Sequence, residues 1–316
     1  VAQLSKVVVT GGAGFIGANL CRHLTETGAA AEVVAFDNLS SGLAGNLADL
    51  AGVTLVEGDI LDQGHVTEVL AGAGAVVHLA ARPSVPKSIE DPLASHDNNA
   101  TGTIRVLEAM RTAGVRRVVV ASSSSVYGSN PVLPKVETLT PMPVSPYAVS
   151  KLATEQYALS YQQVFGLEAV AFRFFNVFGP LQRAGHAYAA VVPAFVEAAL
   201  AGRPLPIHGD GGQTRDFTYV GSVAEVIAEV LTAGLTSPTP VNLAFGTRYS
   251  LLELIHVLET ILERPLERIH TDPRAGDVRD SQADQTALRA LVPRLEPVDL
   301  ERGLRQTISW FRSLSG

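Results

Sequence analysis

The sequence predicts an α/β protein built on a doubly wound parallel sheet, with a smaller α/β lobe attached. Two observations carry that prediction. Short β-branched runs alternate with longer stretches of helical periodicity along the first half of the chain, as repeated βαβ units require. The runs are also apolar almost throughout, as strands covered by helices on both faces must be. Strands are expected at Lys6–Thr10, Glu32–Phe36, Thr54–Glu57, Ala75–Leu79, Arg116–Ala121 and Glu168–Phe174. Helices are expected at Gly14–Gly28, Pro92–Ala113 and Pro146–Phe165, the last two with apolar and polar faces at helical spacing. After Val177 the rhythm changes to longer Pro- and Gly-rich loops with shorter helices between them. Phe217–Val220 and Val241–Leu243 read as strands that could rejoin the first sheet. The expected division is therefore discontinuous: residues 1–176 plus about 217–243 in the sheet domain, and about 177–216 plus 244–316 in the second lobe.

Composition narrows the function classes. The 316 residues are 47% hydrophobic, ample for a packed core. A net charge of −7 with no cluster of Lys or Arg offers no footprint for nucleic acid or an anionic membrane, so basic residues that matter act as isolated anion ligands. The single cysteine, Cys21, allows no internal disulfide and no thiolate metal site, and is expected to be buried and inert. None of the eight histidines stands at metal-ligand spacing with neighbouring carboxylates. Val1–Lys6 runs directly into an apolar strand without the pattern of a signal peptide, and no run of about 18 apolar residues occurs. A cytoplasmic protein is expected.

The run Val7-Val8-Val9-Thr10-Gly11-Gly12-Ala13-Gly14-Phe15-Ile16-Gly17 places a glycine-rich turn between a strand and a helix. Gly11, Gly12 and Gly14 permit a tight turn and close approach of backbone to a pyrophosphate, Gly17 permits close helix–strand packing, and the helix N-terminus offers amides to the anion. This is the arrangement of a Rossmann dinucleotide site. Asp37 ends the second predicted strand about 20 residues later, where a carboxylate can accept from ribose hydroxyls and repel a 2′-phosphate. NAD is favoured over NADP. Asp59-Ile60 could flank the adenine, Leu79-Ala80-Ala81 could lie beside the pyrophosphate, and Asn99 opens nearby; Asp59 and Asn99 read equally as a turn former and a cap.

Tyr147 and Lys151 lie four residues apart at the start of the helix after Pro146, so both project from one face. A tyrosine of ordinary pKa about 10 is a poor base, and a neighbouring ammonium together with a positive nicotinamide ring would favour its phenolate. Ser122-Ser123-Ser124-Ser125 follows the fifth predicted strand, where open α/β sheets place ligands, and offers hydroxyls to a sugar oxygen.

In these motifs, together with Asp37-Asn38-Leu39-Ser40, His78-Leu79-Ala80-Ala81, Arg173-Phe174-Phe175-Asn176-Val177-Phe178-Gly179-Pro180 and Arg215-Asp216-Phe217, the chain resembles the extended short-chain dehydrogenase/reductases, specifically their nucleotide-sugar epimerases. The resemblance runs over nearly the whole length. It implies that Tyr147 is the base that takes the C4 hydroxyl proton, that Lys151 holds the nicotinamide ribose, and that a serine assists proton transfer. Ser123 is assigned that role, with Ser124 and Ser125 as substrate contacts, although four identical residues leave the register open by one. It further implies cofactor contacts at Phe15, Ile16, Asn38, Ser40, Gly42 and Phe174, and a UDP-sugar 4-epimerase reaction through a transient 4-keto sugar and bound NADH. A homodimer would form through helices Pro92–Ala113 and Pro146–Phe165, which the sequence alone would equally let cover the sheet.

Relatives that dehydrate or decarboxylate nucleotide sugars resemble this chain except for acidic residues in the serine run, where Ser124 and Ser125 stand here. Without a carboxylic acid at those positions, simple epimerisation is the better reading. By the same resemblance Ser84 meets the substrate, Asn176, Arg215 and Arg274 hold the diphosphate, and Asp277 binds a ribose hydroxyl. A guanidinium fork suits that diphosphate task. His208 either lies along the uracil or is a solvated loop side chain. Arg183 stands where relatives acting on neutral N-acetyl sugars have an aspartate, and would pair with a C6 carboxylate unless it is simply solvated. UDP-glucuronate is thereby favoured over UDP-glucose or UDP-N-acetylglucosamine. A catalytically silent NAD-binding protein is the competing class, and the intact Tyr147, Lys151, serine run and Arg215 speak against it.

Overall fold

The computed structural model describes residues 3–184, 190–272 and 279–314. Strands β1 (Leu4–Thr10), β2 (Ala30–Asp37), β3 (Val53–Glu57), β4 (Ala75–His78), β5 (Arg117–Ser123) and β6 (Glu168–Phe174) join Val241–Leu243 in a seven-stranded sheet. Every pairing is parallel, in the order Val241–Leu243, β6, β5, β4, β1, β2, β3. Side chains alternate between two covered faces, which explains the continuous apolar runs. Val7, Val9, Val33 and Ala35 enter one core layer, whereas Val8, Val34 and Phe36 enter the layer behind the sheet. Strand order reverses between β1 and β4, so the crevice that receives ligands in such sheets opens beyond Thr10 and His78.

The crossover helices follow local rules. Helix α1 (Phe15–Glu26) begins at Gly14 with no side-chain cap. Helix Pro146–Phe165 is tightly framed: Ser145 Oγ accepts from Ala148 N, Pro146 takes the first turn, and Gly166 closes it at φ +70°. The helix expected over Pro92–Ala113 is interrupted by a wide turn at Asp97–Thr101 between Pro92–His96 and Gly102–Ala113. That turn coincides with Asn99, whose amide reaches both the loop after β4 and helix Pro146–Phe165.

A second hydrophobic core gathers Phe178, Phe195, Leu205, Ile207, Leu254, Leu258, Leu304 and Ile308 from the later part of the chain. Of the two late segments expected to rejoin the sheet, only Val241–Leu243 does so. Thr218–Tyr219 pairs instead with Val177–Phe178, because Phe217 and Tyr219 pack edge-on to Phe178 in the second core, with ring centroids 6.3 and 5.7 Å away. Helix Val220–Ala233 returns to the first core beside α1, as do Leu288, Val292 and Leu295. Phe15 packs against the second core and Ile16 against both, so the opening turn of α1 sits where the two cores meet.

Candidate active site

Three glycines, two in the turn after β1 and one in the first turn of α1, are demanded by packing. A Cβ at Gly11 would lie 2.7 Å from Ala80 N, one at Gly12 2.6 Å from Ala35 Cβ, and one at Gly17 2.1 Å from Gly11 O. Gly14 differs: its Cβ would meet only Gly11 O, at 3.2 Å, so the space before it is open to an approaching group. An uncapped helix N-terminus behind an open glycine suits a pyrophosphate. Asp37 is nearly buried, its Oδ2 accepting from Ala13 N at 3.0 Å and its Oδ1 from Leu39 N at 2.9 Å, while Gly42 lies against the carboxylate. The carboxylate thus braces the glycine turn and keeps lone pairs for a ribose. Beside it, Asn38 donates to Asp59 at 3.1 Å and accepts from Ser40 N and Oγ. Ile60 turns inward, where Gly102 makes room for it. Leu79, Ala80, Ala81 and Phe174 remain half-buried at strand ends around the same crevice. These residues fit an NAD-type cofactor.

Asn99 is 1% exposed, its Oδ1 accepting from Arg82 N at 2.7 Å and its Nδ2 donating to Ser150 Oγ at 2.9 Å. It therefore positions the loop after β4, with one lone pair of Oδ1 left for a further donor. Ser84, expected at the substrate, caps helix Val85–Glu90 by accepting from Lys87 N.

The serine run divides by direction. Ser122 is 2% exposed and its Oγ donates to Glu155 Oε2 at 2.7 Å, so it faces the core. Ser123 caps the short turn Ser124–Tyr127, with Ser125 N donating to its Oγ, and its hydroxyl also interacts with Tyr147. Ser124 and Ser125 are half-buried, and Ser125 Oγ has no hydrogen-bond partner among the described residues. Tyr147 is half-buried and Lys151 only 5% exposed, with Lys151 Nζ donating to Ala121 O at 2.8 Å. Burial lowers the Lys151 pKa to about 8. Burial also pushes Tyr147 above its ordinary value, with Ser123 acting in the opposite direction. The polypeptide alone thus holds Tyr147 above its ordinary value, and the expected phenolate draws on the positive nicotinamide ring as well as on Lys151.

Beneath this site lies a pair that the sequence did not reveal. Arg173 and Glu155 form a buried ion pair at 2.7 Å, with side chains 2% and 0% exposed. Arg173 stacks over Tyr127, whose hydroxyl donates to Asn242 at 2.6 Å. The network ties β5, β6, Val241–Leu243 and helix Pro146–Phe165 together behind the serines.

Toward the second core a cavity of about 270 Å³ is lined by Asn176, Gln182, His208, Gln213, Arg215 and Phe217, among others. It brings together three expected substrate residues. Asn176 holds a left-handed conformation, φ +24°, and donates to Asp216 O. His208 Nδ1 meets Thr271 Oγ1 at 2.8 Å, and Arg215 Nη1 donates to the carbonyls of Thr214 and Arg279. Asp216, 0% exposed, accepts from Thr247 Oγ1 and Ala283 N, and burial raises its pKa to about 6. Gln182 and Gln213 were missed in the sequence, although they adjoin Arg183 and the Arg215 motif. Arg183 is exposed, and among the described residues no carboxylate pairs with it. Arg274 and Asp277 lie outside the described residues. Cys21 is buried, and burial pushes its thiol up to about 12.

Residues 7–244 match the NAD dependent epimerase/dehydratase family. The chain belongs to that family. It is an enzyme of the NAD-dependent, extended short-chain dehydrogenase/reductase type, as its motifs implied. A UDP-glucose 4-epimerase of Mycolicibacterium smegmatis is 38% identical over 98% of this chain and 99% of its own. Among solved structures, a UDP-N-acetylglucosamine 4-epimerase from Methanobrevibacter ruminantium M1, in complex with UDP-N-acetylmuramic acid, superposes with a TM-score of 0.92 at 35% identity, covering 99% of this chain and 100% of that one. A UDP-glucuronic acid 4-epimerase from Bacillus cereus, in complex with UDP-glucuronic acid and NAD, gives 0.88 at 30% identity, covering 98% and 99%. Among the described residues of this epimerase/dehydratase family member, no helix is long and apolar enough to cross a membrane.

Proposed function

We propose that the chain is a UDP-sugar 4-epimerase whose leading substrate is UDP-glucuronate, converted to UDP-galacturonate. The observation that carries the reading is the convergence of Ser123, Tyr147 and Lys151 at the crevice, beside an open glycine cradle and a separate cavity containing Asn176, His208 and Arg215. The cradle takes NAD through Gly11, Gly14, Phe15, Ile16, Asp37 and their neighbours; bound NAD supplies the reversible redox partner and a positive ring beside Tyr147. Tyr147 Oη removes the C4 hydroxyl proton of the sugar and returns it after the 4-keto sugar has turned over. Ser123 Oγ hydrogen-bonds the same oxygen, and the Lys151 ammonium favours the tyrosinate electrostatically. Asn176 and Arg215, with Arg274, hold the diphosphate, Asp277 the ribose and His208 the uracil side, so that the nucleotide stays anchored while the hexose rotates. Ser124 and Ser125, free of acidic substitution, face the sugar.

The acidic preference rests on Arg183, an exposed guanidinium without a carboxylate partner among the described residues. UDP-glucose or UDP-N-acetylglucosamine is the second reading, favoured by the 38% identity to a UDP-glucose 4-epimerase. Incubating the enzyme separately with the three UDP-sugars and identifying products by proton NMR tests both readings. UDP-galacturonate as the dominant product supports the first; UDP-galactose or its N-acetyl analogue overturns the specificity and keeps the mechanism. Carbon dioxide with a UDP-pentose would overturn epimerisation.

We also propose a homodimer. Ile89, Leu93, Val149 and Val164 are 65%, 75%, 52% and 68% exposed on neighbouring helices, an apolar stripe that a second copy would cover. Sedimentation of Leu93→Glu as a monomer, against a dimeric parent, is the expected result.

A further inference from the structure

Behind the crevice, six polar side chains, none more than 3% exposed, connect the glycine turn to the catalytic helix: Thr10, His78, Asn99, Thr103, Ser150 and Thr154. His78 sits at the centre, with Nδ1 2.8 Å from Thr10 Oγ1 and Nε2 3.1 Å from Thr103 Oγ1. Each threonine carries one hydroxyl proton, so the neighbouring bonds fix which way the imidazole is protonated. Thr103 Oγ1 lies 2.5 Å from Asn99 O, a carbonyl that can only accept, so Thr103 spends its proton there. His78 Nε2 must then be the donor to Thr103. On the other side Thr10 Oγ1 accepts from Ala80 N at 3.3 Å and has its own proton to give to Nδ1.

The bonds therefore run head to tail. Ala80 N donates to Thr10, Thr10 to His78, His78 to Thr103 and Thr103 to Asn99 O; Asn99 Nδ2 donates to Ser150, and Ser150 Oγ to Tyr147 O at 2.8 Å. One end fixes Ala80, the residue against which Gly11 packs; the other fixes the backbone of Tyr147. A protonated imidazole would need two acceptors and would reverse the Thr10 bond. Burial, and then the charge of Lys151, hold the His78 pKa down to about 3.

We propose that His78 is a positioning residue: a neutral imidazole, protonated at Nε2, that locks the cofactor cradle and the Tyr147 helix into one alignment. The functional half of this inference rests on Tyr147 as the acid–base group; the tautomer does not. Long-range proton–nitrogen NMR of the ¹⁵N-histidine-labelled enzyme at neutral pH, with His78 assigned by its loss in His78→Gln, should show an Nε2–H, unprotonated Nδ1 pattern. An Nδ1–H tautomer or an imidazolium overturns the proposal.

Two substitutions then separate the halves of the chain. An asparagine amide lies near the Nδ1 position, and its oxygen can still accept from Thr10. A glutamine amide reaches the Nε2 position, and its nitrogen can still donate to Thr103. His78→Asn should keep NAD affinity within a few-fold and lower kcat about tenfold, as loss of one buried hydrogen bond implies. His78→Gln should weaken NAD binding about tenfold and leave kcat at saturating NAD nearly unchanged. Equal effects of both variants on both quantities, or none, would overturn the positioning role. Absence of turnover with every UDP-sugar would sink the epimerase reading instead, leaving the tautomer and the NAD titration as tests of His78.

Discussion

Replacing Arg173 with methionine would leave Glu155 buried with a single strong donor. In the native protein that carboxylate receives Arg173 Nε at 3.0 Å, Arg173 Nη2 at 2.7 Å and Ser122 Oγ at 2.7 Å, at 0% exposure. Arg173→Met removes two charge-assisted bonds together with the stacking on Tyr127. Breaking one side of a buried pair costs about 3–5 kcal/mol, because the remaining charge has neither water nor a counter-ion. For a chain of this size that corresponds to a fall in Tm of about 5–8 °C. Scanning calorimetry of Arg173→Met, Glu155→Gln and the double variant measures it. The double variant should recover at least half of the loss, since a neutral amide tolerates an apolar neighbour far better than a carboxylate does. If Arg173→Met melted within about 2 °C of the parent, or the double variant melted lower still, the stress laid on this pair would be wrong.

Three further outcomes are expected. Tyr147→Phe should lower kcat by about 10²–10⁴ while leaving NAD affinity intact, since it removes only the proton carrier; equal turnover would dismiss Tyr147 as the base. Gly17→Ala should fail to accumulate as folded protein, its Cβ lying 2.1 Å from Gly11 O, whereas Gly14→Ala should fold and lose NAD affinity, measured by titration, because its Cβ occupies open space before the helix. Lys151 has a folded pKa of about 8, below the unfolded value near 10.4, so the unfolded chain binds more protons between those limits and stability should rise with pH across that window. The Tm of the parent relative to Lys151→Met should therefore improve between pH 8 and pH 10; an unchanged gap would mean that the buried ammonium carries no penalty.

The sheet was legible because strands covered on both faces leave unbroken apolar runs, and the glycine turn because its spacing is a steric requirement. Tyr147 and Lys151 could be placed on one face from the sequence because a helix stacks residues four apart. Ser122 and Ser123 could not be told apart in a run of four serines; what separates them is the carboxylate of Glu155, brought beneath β5 by a helix that begins after a loop. The Arg173–Glu155 pair was hidden for a related reason, since an arginine in an apolar strand has no sequence neighbour that explains it. The second core misled the reading of Phe217–Val220, whose alternation fits a strand in either sheet until the rings of Phe178 and Tyr219 are seen to meet. Asn99, which the sequence assigns to the cofactor, also bonds the loop after β4 and Ser150 through its amide, a structural task that no sequence neighbour announces.

The reversal of direction between Ser122 and Ser123 has a bearing on how such a molecule can change over time. Ser122 is tied to Glu155 and through it to much of the interior, so its replacement disturbs folding. Ser124 and Ser125, the next residues of the run, are half-buried, and Ser125 Oγ has no hydrogen-bond partner among the described residues. On the proposed reading, exchanging those two side chains alters the groups presented to a bound sugar without breaking the Ser122–Glu155 bond. On that reading heritable variation samples new chemistry at two adjacent codons while the ties between Ser122, Glu155 and the interior stay intact.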